Sequence, residues 1–252
     1  MKIVLLTALG VGGATIIGSL IGFAFKKISH IFSDIILSFA AGVMLCAAVF
    51  GLIQPSLGYG GGLSVYVTIT GVFCGALILN FLDKAIPHLH GLSGVQTENH
   101  TVESEKINKI LLFVLAIAIH NLPEGIAAGV GFGTGNTAEA LTIAGGIALQ
   151  NIPEGMVIIA PMLAVGMSKK RTLLAASLTG VVEVIGTFLG YFAVTISTAI
   201  LPFALAFAGG TMLYVISDEM IPETHAHGSE RGATYALLFG FCVMLLMDYY
   251  LG

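Results

Sequence analysis

Residues 118–156 read AIHNLPEGIAAGVGFGTGNTAEALTIAGGIALQNIPEGM, and one six-residue pattern occurs in them twice. His120-Asn121-Leu122-Pro123-Glu124-Gly125 returns thirty positions later as Gln150-Asn151-Ile152-Pro153-Glu154-Gly155. Each copy lies inside a long apolar run, roughly 107–131 and 138–165, and small residues near 135 separate the two. A helix needs about 20 mostly apolar residues to cross the hydrocarbon core of a bilayer. The pair therefore reads as two antiparallel membrane helices, each with a carboxyl group half-way along.

The same ruler, moved outward, finds six further runs at roughly 3–25, 31–54, 63–83, 171–198, 200–220 and 231–251. The weakest division lies at 198–201, where only Pro202 and a thin polar stretch separate one helix from the next. Composition agrees with an all-α integral membrane protein of eight transmembrane helices. Of the 252 residues, 56% are hydrophobic and 10% charged, against about 25% charged in a soluble domain. Mean hydropathy is +0.98. A closed β-barrel would show short alternating segments instead. The first run is too long for a signal peptide and has no small-x-small cleavage site. The chain reads as one transmembrane domain over 1–252, with a polar loop at about 84–106.

Charge placement tests the count independently. Lys26, Lys27, Lys84, Lys106, Lys109, Lys169, Lys170, Arg171 and Arg231 fall on one side of such a plan, and of the ten basic residues only Lys2 falls on the other. The positive-inside rule makes that side cytoplasmic and places both termini outside. The 84–106 loop bears Glu98, Glu103, Glu105 and three histidines and has little to bury. A net charge of -4 with scattered basic residues excludes nucleic acid as a partner. Cys46, Cys74 and Cys242 stand apart in apolar runs, which suggests neither disulfides nor a CxxC site. Gly18/Gly22, Gly71/Gly75 and Gly186/Gly190 are small-xxx-small pairs that allow close helix packing.

The carboxyls at mid-span demand an explanation. An ionised acid at a helix centre costs about 2.5–3.5 kcal/mol on insertion scales, and no Lys or Arg lies at that depth to pair with Glu124, Glu154 or Glu183. Protons, water and a bound cation remain. His120 and Glu124 are four apart and share a helix face, as do Gln150 and Glu154, while Asn121 and Asn151 adjoin the same acids. Pro123 and Pro153 lack an N–H and release the carbonyls of Ile119 and Leu149, which in a membrane need another partner. One imidazole, three amides and two carboxylates thus meet in a common space, and Glu183 can add a third carboxylate. This mixture suits a loosely held divalent transition metal. Structural zinc prefers closure by Cys and His, and a calcium cage uses oxygens alone. Shared carboxylates can bridge two ions.

These residues resemble the ZIP (Zrt/Irt-like protein) family of divalent-metal transporters, in its bacterial-type branch. The resemblance rests on HNLPEG at 120–125, QNIPEG at 150–155, Glu183, and Asp218-Glu219-Met220-Ile221-Pro222-Glu223 at the end of the seventh span. It implies a binuclear centre: one ion at His120, Glu124, Gln150 and Glu154, a second at Asn121, Glu124, Asn151, Glu154 and Glu183. It implies zinc as cargo, with iron, manganese or cadmium as others, moving toward the cytoplasm. It further implies an inverted repeat of helices 1–3 and 6–8 around helices 4 and 5. Asn151 is neutral where some relatives place an acid, which weakens the second position. Ser217-Asp218-Glu219 lacks the histidine many relatives carry there.

Accessory cytoplasmic ligands are sought in His88, His90, Asp218, Glu219, Glu223, His225 and His227, and Met44 is placed at the entrance. Asp34, Glu139 and Asp248 read as solvated caps near membrane boundaries, and His30 and His100 attract no special role. The chain is expected not to be an enzyme and to need no catalytic cofactor. An intramembrane metallohydrolase would prefer H-E-x-x-H, which is absent. A proton or other cation carrier using the same carboxylates is the alternative. The partners are divalent metal ions and the lipid bilayer, with a homodimer open. The expected home is the bacterial inner (cell) membrane.

Overall fold

The computed structural model describes residues 1–25, 29–59, 61–92, 118–164 and 166–252, with only the backbone at 83, 85–92, 161 and 164. Among these residues every regular element is helical. α1 runs Lys2–Ala24 and α2 His30–Tyr59. α3 is Ser64–Leu92, after a 3-10 turn at Gly61–Leu63. α4 is described over 118–130. α5 is Thr137–Val157, continued as Ile159–Ala164. α6 is Lys169–Ile196, α7 Thr198–Thr224 and α8 Glu230–Leu251. Six spans are long and apolar enough to cross a membrane: α1, α2, α6, α7, α8 and Gly61–Leu82, which joins the 3-10 turn to most of α3.

Sequence chemistry accounts for the boundaries. Ser29 caps α2 by accepting from Phe32 N–H at 3.2 Å, and Ser168 caps α6 through Arg171 N–H at 3.4 Å. Between α4 and α5 the chain makes a 3-10 turn at Gly131–Thr134 and passes Gly135 at φ 79°, a left-handed conformation that glycine adopts freely. Asn136 Oδ1 then accepts from the N–H groups of Ala138 and Glu139, opening α5. At the weak division, Ser197 ends α6, a 3-10 turn covers Thr198–Ile200, and Pro202 sits in the first turn of the next helical segment.

Two boundaries and two stretches of helix differ from the sequence reading. α3 continues through Pro87 to Leu92, so the start of the expected 84–106 loop is helical. Residues 93–117, which take in the rest of that loop with Glu98, His100, Glu103 and Glu105 and the start of the expected fourth span, lie outside the described residues, as do the side chains of His88 and His90. α2 runs on to Tyr59 through a π-helical stretch at Ala47–Ile53, and α7 contains a second π stretch at Ile216–Met220. Widened turns of this kind leave no hydropathy signature, because they change hydrogen-bond register without changing composition.

Helices meet through glycine. A Cβ at Gly18 or Gly22 of α1 would strike the α5 backbone at Ile152 and Met156, and one at Gly186 or Gly190 of α6 would strike α4 at Leu122 and Ile126. Gly71 and Gly75 of α3 abut α7 at Phe203 and Phe207, while Gly42 of α2 and Gly240 of α8 abut each other's helices. Met44, Leu52, Ile143, Ile147, Leu205 and Met212 fill the core between α2, α5 and α7. Leu6, Phe73, Phe81, Ile196, Tyr235 and Tyr249 are exposed and form an apolar outer surface.

Candidate metal centre

Both motifs lie where their helices are enclosed. Asn121, Glu124, Gln150 and Asn151 are buried, and His120 and Glu154 are partly so. The motif glycines help to explain this. A Cβ at Gly125 would collide with the Glu183 carbonyl on α6, and one at Gly155 with the Thr15 carbonyl on α1. Each motif is thus pressed against a neighbouring backbone, which turns its Asn and Glu toward the space between α1, α4, α5 and α6.

His120, Asn121, Glu124 and Glu154 line a cavity of about 650 Å³. From them it passes Leu37, Val157 and Val215 to Asp218, Glu219, Pro222 and Glu223 at the end of α7. Asp218, Pro222 and Glu223 are exposed, so the cavity reaches solvent there. Toward the α4–α5 turn, Val43, Met44, Ala47, Ile143 and Ile147, all 1% exposed or less, close the protein. Met44, placed at the entrance by the sequence reading, is packed in this closed region.

The polar contacts divide into two groups. Glu183, fully buried, accepts from Thr15 Oγ1 at 2.7 Å, from Asn121 Nδ2, and from Asn151 Nδ2 at 2.7 Å. Asn151 Nδ2 also donates to the Val11 carbonyl at 3.3 Å. In contrast, Glu124 Oε2, Gln150 Oε1, Asn151 Oδ1 and Glu154 Oε1 are buried without a hydrogen-bond partner. Buried polar atoms are nearly always satisfied; Gln150 Nε2 is unpartnered as well, and the four open oxygens of the repeated motif could hold a cation. Among the described residues, no three of His, Cys, Asp and Glu converge as a ready-made metal cage. The amide oxygens are therefore included in any ligand set.

Further out, His120 Nε2 lies 2.8 Å from Glu219 Oε1 and links the motif to the cavity wall. The expected His225/His227 pair does not converge. His225 turns to the Ile221 carbonyl at 2.9 Å and Thr234 Oγ1 at 3.2 Å, whereas His227 Nδ1 meets Asp34 Oδ1 at 3.1 Å. His30 stacks on His227 with centroids 4.8 Å apart. Asp34 is 3% exposed, so its expected role as a solvated cap is corrected. It is a buried anchor for the α7–α8 loop, made visible only when residue 227 folds back beside α2. Thr15 was missed altogether; a lone threonine in an apolar span carries no signal, and its partner is 168 positions away.

An α-helical membrane-type bundle with buried, unpartnered side-chain oxygens on two facing helices fits the class of ion-handling membrane proteins. The family model for "ZIP Zinc transporter" matches residues 96–248. The chain is 41% identical over 209 residues to the zinc transporter GufA of Myxococcus xanthus, covering 81% of each. It is 37% identical over 251 residues to the zinc transporter ZIPB of Bordetella bronchiseptica, covering 95% of this chain and 78% of that one. It is 31% identical over 248 residues to the zinc transporter ZupT of Chlorobium chlorochromatii, covering 93% and 92%. The chain belongs to the ZIP zinc transporter family. It is accordingly an integral membrane protein and not an enzyme.

Proposed function

We propose that this chain carries divalent transition-metal ions across the bilayer, zinc foremost and iron, manganese or cadmium as further cargoes, through a centre between α4 and α5. The carrying observation is the set of buried, unpartnered oxygens on Glu124, Gln150, Asn151 and Glu154 beside the cavity. Each such atom costs about 1–3 kcal/mol when unsatisfied, and a cation offsets that cost. The names of the relatives, zinc transporters, agree with this cargo.

His120, Glu124, Gln150 and Glu154 hold one ion. A second ion at Asn121, Glu124, Asn151, Glu154 and Glu183 makes the centre binuclear, and the neutral Asn151 makes that position the weaker. All eight helices cross the membrane, α4 and α5 being shielded by the others, with both termini outside a bacterial inner membrane. The cavity then opens to the cytoplasm, and ions leave past Glu219, Asp218 and Glu223. His88, His90, His225 and His227 are accessory groups at that exit. Each chain carries its own centre, so a homodimer would hold two independent pathways.

Transport is by alternating access around a fixed midplane site. Packing supports an inverted repeat of α1–α3 and α6–α8. Gly12 of α1 faces Gly180 of α6, α5 rests on α1 as α4 rests on α6, and α2 and α7 each contain a π stretch. The α2–α8 contact likewise mirrors the α3–α7 contact.

The test is uptake of radioactive zinc into proteoliposomes by the wild type and by Glu124→Ala/Glu154→Ala, with cadmium and iron as competitors. Uptake by the wild type and its loss in the variant are expected. Normal uptake by a correctly inserted variant would exclude this centre, and no metal uptake by folded wild type would leave the proton-carrier alternative.

A further inference from the structure

A threonine inside a helix commonly turns its hydroxyl back to a carbonyl three or four residues earlier in the same helix. Thr70, Thr179, Thr187, Thr211 and Thr224 all do so. Thr15 of α1 does not. Its Oγ1 reaches across to α6 and donates to Glu183 Oε1 at 2.7 Å. The carbonyl it forgoes, that of Val11, accepts instead from Asn151 Nδ2 of α5 at 3.3 Å. Thr15 is 2% exposed and lines the cavity together with Asn121 and Glu124. Its backbone is held as well, because its carbonyl accepts from Ser19 Oγ at 2.9 Å and lies against Gly155.

We infer that Thr15 is a positioning residue for the second ion: its hydroxyl orients the Glu183 carboxylate as that acid takes up the ion. The inference rests on the binuclear reading above and deepens it by adding a residue from outside the repeated motif. Glu183 accepts from Thr15, Asn121 and Asn151, but the three donors are not alike. The asparagines reach it through their amide nitrogens, which carry hydrogens and offer no lone pair to a metal; their oxygens do. An ion that Glu183 shares with either asparagine therefore replaces the N–H bond between the two. The Thr15 hydroxyl makes no such demand. It takes one lone pair of Oε1 and leaves the others to the ion, so it is the partner that Glu183 keeps when the position fills. The Glu183 backbone is already anchored, its carbonyl accepting from Thr187 Oγ1 at 2.9 Å. What Thr15 sets is the direction of the side chain at the moment its amide donors leave.

The test is zinc binding to the purified full chain in detergent, followed by calorimetry, which separates the two positions by affinity. Thr15→Val keeps the shape and removes the donor, whereas Thr15→Ser keeps the donor and removes the methyl. We expect Thr15→Val to weaken the second ion about 10–100-fold, the usual effect of losing an outer partner of a metal ligand, and to leave the first unchanged. Thr15→Ser should bind both ions as the wild type does. A role in packing alone predicts the reverse, with valine tolerated and serine impaired, and that result overturns the inference. Equal weakening of both ions by Thr15→Val overturns it too. Thr15→Ala, too small to clash, should behave as Thr15→Val does, which keeps the test decisive if the valine variant does not fold. In a Glu183→Ala background Thr15→Val should change nothing, because it acts through Glu183; a further loss of zinc binding would refute that. The binuclear reading fails separately: a wild type that takes up one zinc ion, or a Glu183→Ala variant that still binds two with full affinity, would sink the second position itself. Loss of that ion in Glu183→Ala leaves the valine and serine variants to judge Thr15 alone.

Discussion

Gly155→Ala adds one methyl group at the point where α5 touches α1. That Cβ would lie 3.0 Å from Ser19 N and 3.1 Å from the Thr15 carbonyl carbon, with the Thr15 carbonyl oxygen nearer still. All three are backbone atoms and cannot rotate aside. Ordinary contact begins near 3.4 Å, and the Thr15 carbonyl oxygen sets the shift, so α1 must retreat by roughly an ångström for the methyl to fit, at about 1–3 kcal/mol for an overpacked interior. The retreat has a functional consequence, because Thr15 also holds Glu183 at 2.7 Å, and Ser19 Oγ donates to the Gly155 carbonyl at 3.2 Å. Both bonds lengthen, the Thr15 bond beyond the usual O–H···O range of about 2.5–3.0 Å and the already long Ser19 bond further outside it. Thermal unfolding in detergent and zinc uptake should therefore fall together in Gly155→Ala. Gly13→Ala in α1 is the matched control, since a Cβ there meets nothing within 4 Å; alanine favours the helix by roughly 0.5–1 kcal/mol, and stability should hold or rise. Equal stability and uptake in the two variants would refute the claim that the motif glycine exists for this contact.

Three further outcomes are expected. Protons and metal compete for the same lone pairs on His120, Glu124 and Glu154, so zinc uptake should fall as the pH on the entry side is lowered; a flat profile through pH 5–8 would count against imidazole and carboxylate ligands. His227→Ala leaves the buried Asp34 carboxylate without its 3.1 Å partner and should cost about 1–3 kcal/mol, read as a lower melting temperature and faster hydrogen exchange around 225–229. Asp34→Asn in the same chain should recover some of that loss. Asn136→Ala removes the cap of α5 and should cost about 1 kcal/mol, with unchanged zinc KM, because the turn at 131–136 lies far from the ligands along α5.

The helical runs and the candidate ligands were legible because each depends on near neighbours in sequence. Twenty apolar residues mark a span wherever its partners lie, and His120 with Glu124 share a face through helix geometry alone. α5 shows where that logic thins: it is not among the helices apolar enough to cross by composition, since Gln150, Asn151, Pro153 and Glu154 depress its hydropathy. What encloses it is the close approach of α1 at Gly18, Gly22 and Gly155. The repeat of the motif announced a polar centre, but not which of its atoms are already engaged.

The sequence alone thus determined that this is a helical membrane protein with a doubled acid-amide motif inside two apolar runs. Only the tertiary structure decided that Glu183 is engaged by Thr15, Asn121 and Asn151, that Asp34 is buried beneath His227, that Met44 is packed away, and that the cavity opens at the Glu223 end. The physical reason is range. Hydropathy and helix faces are sums over adjacent residues, whereas these contacts join positions up to 193 apart, and their existence depends on how closely glycine lets the helices approach.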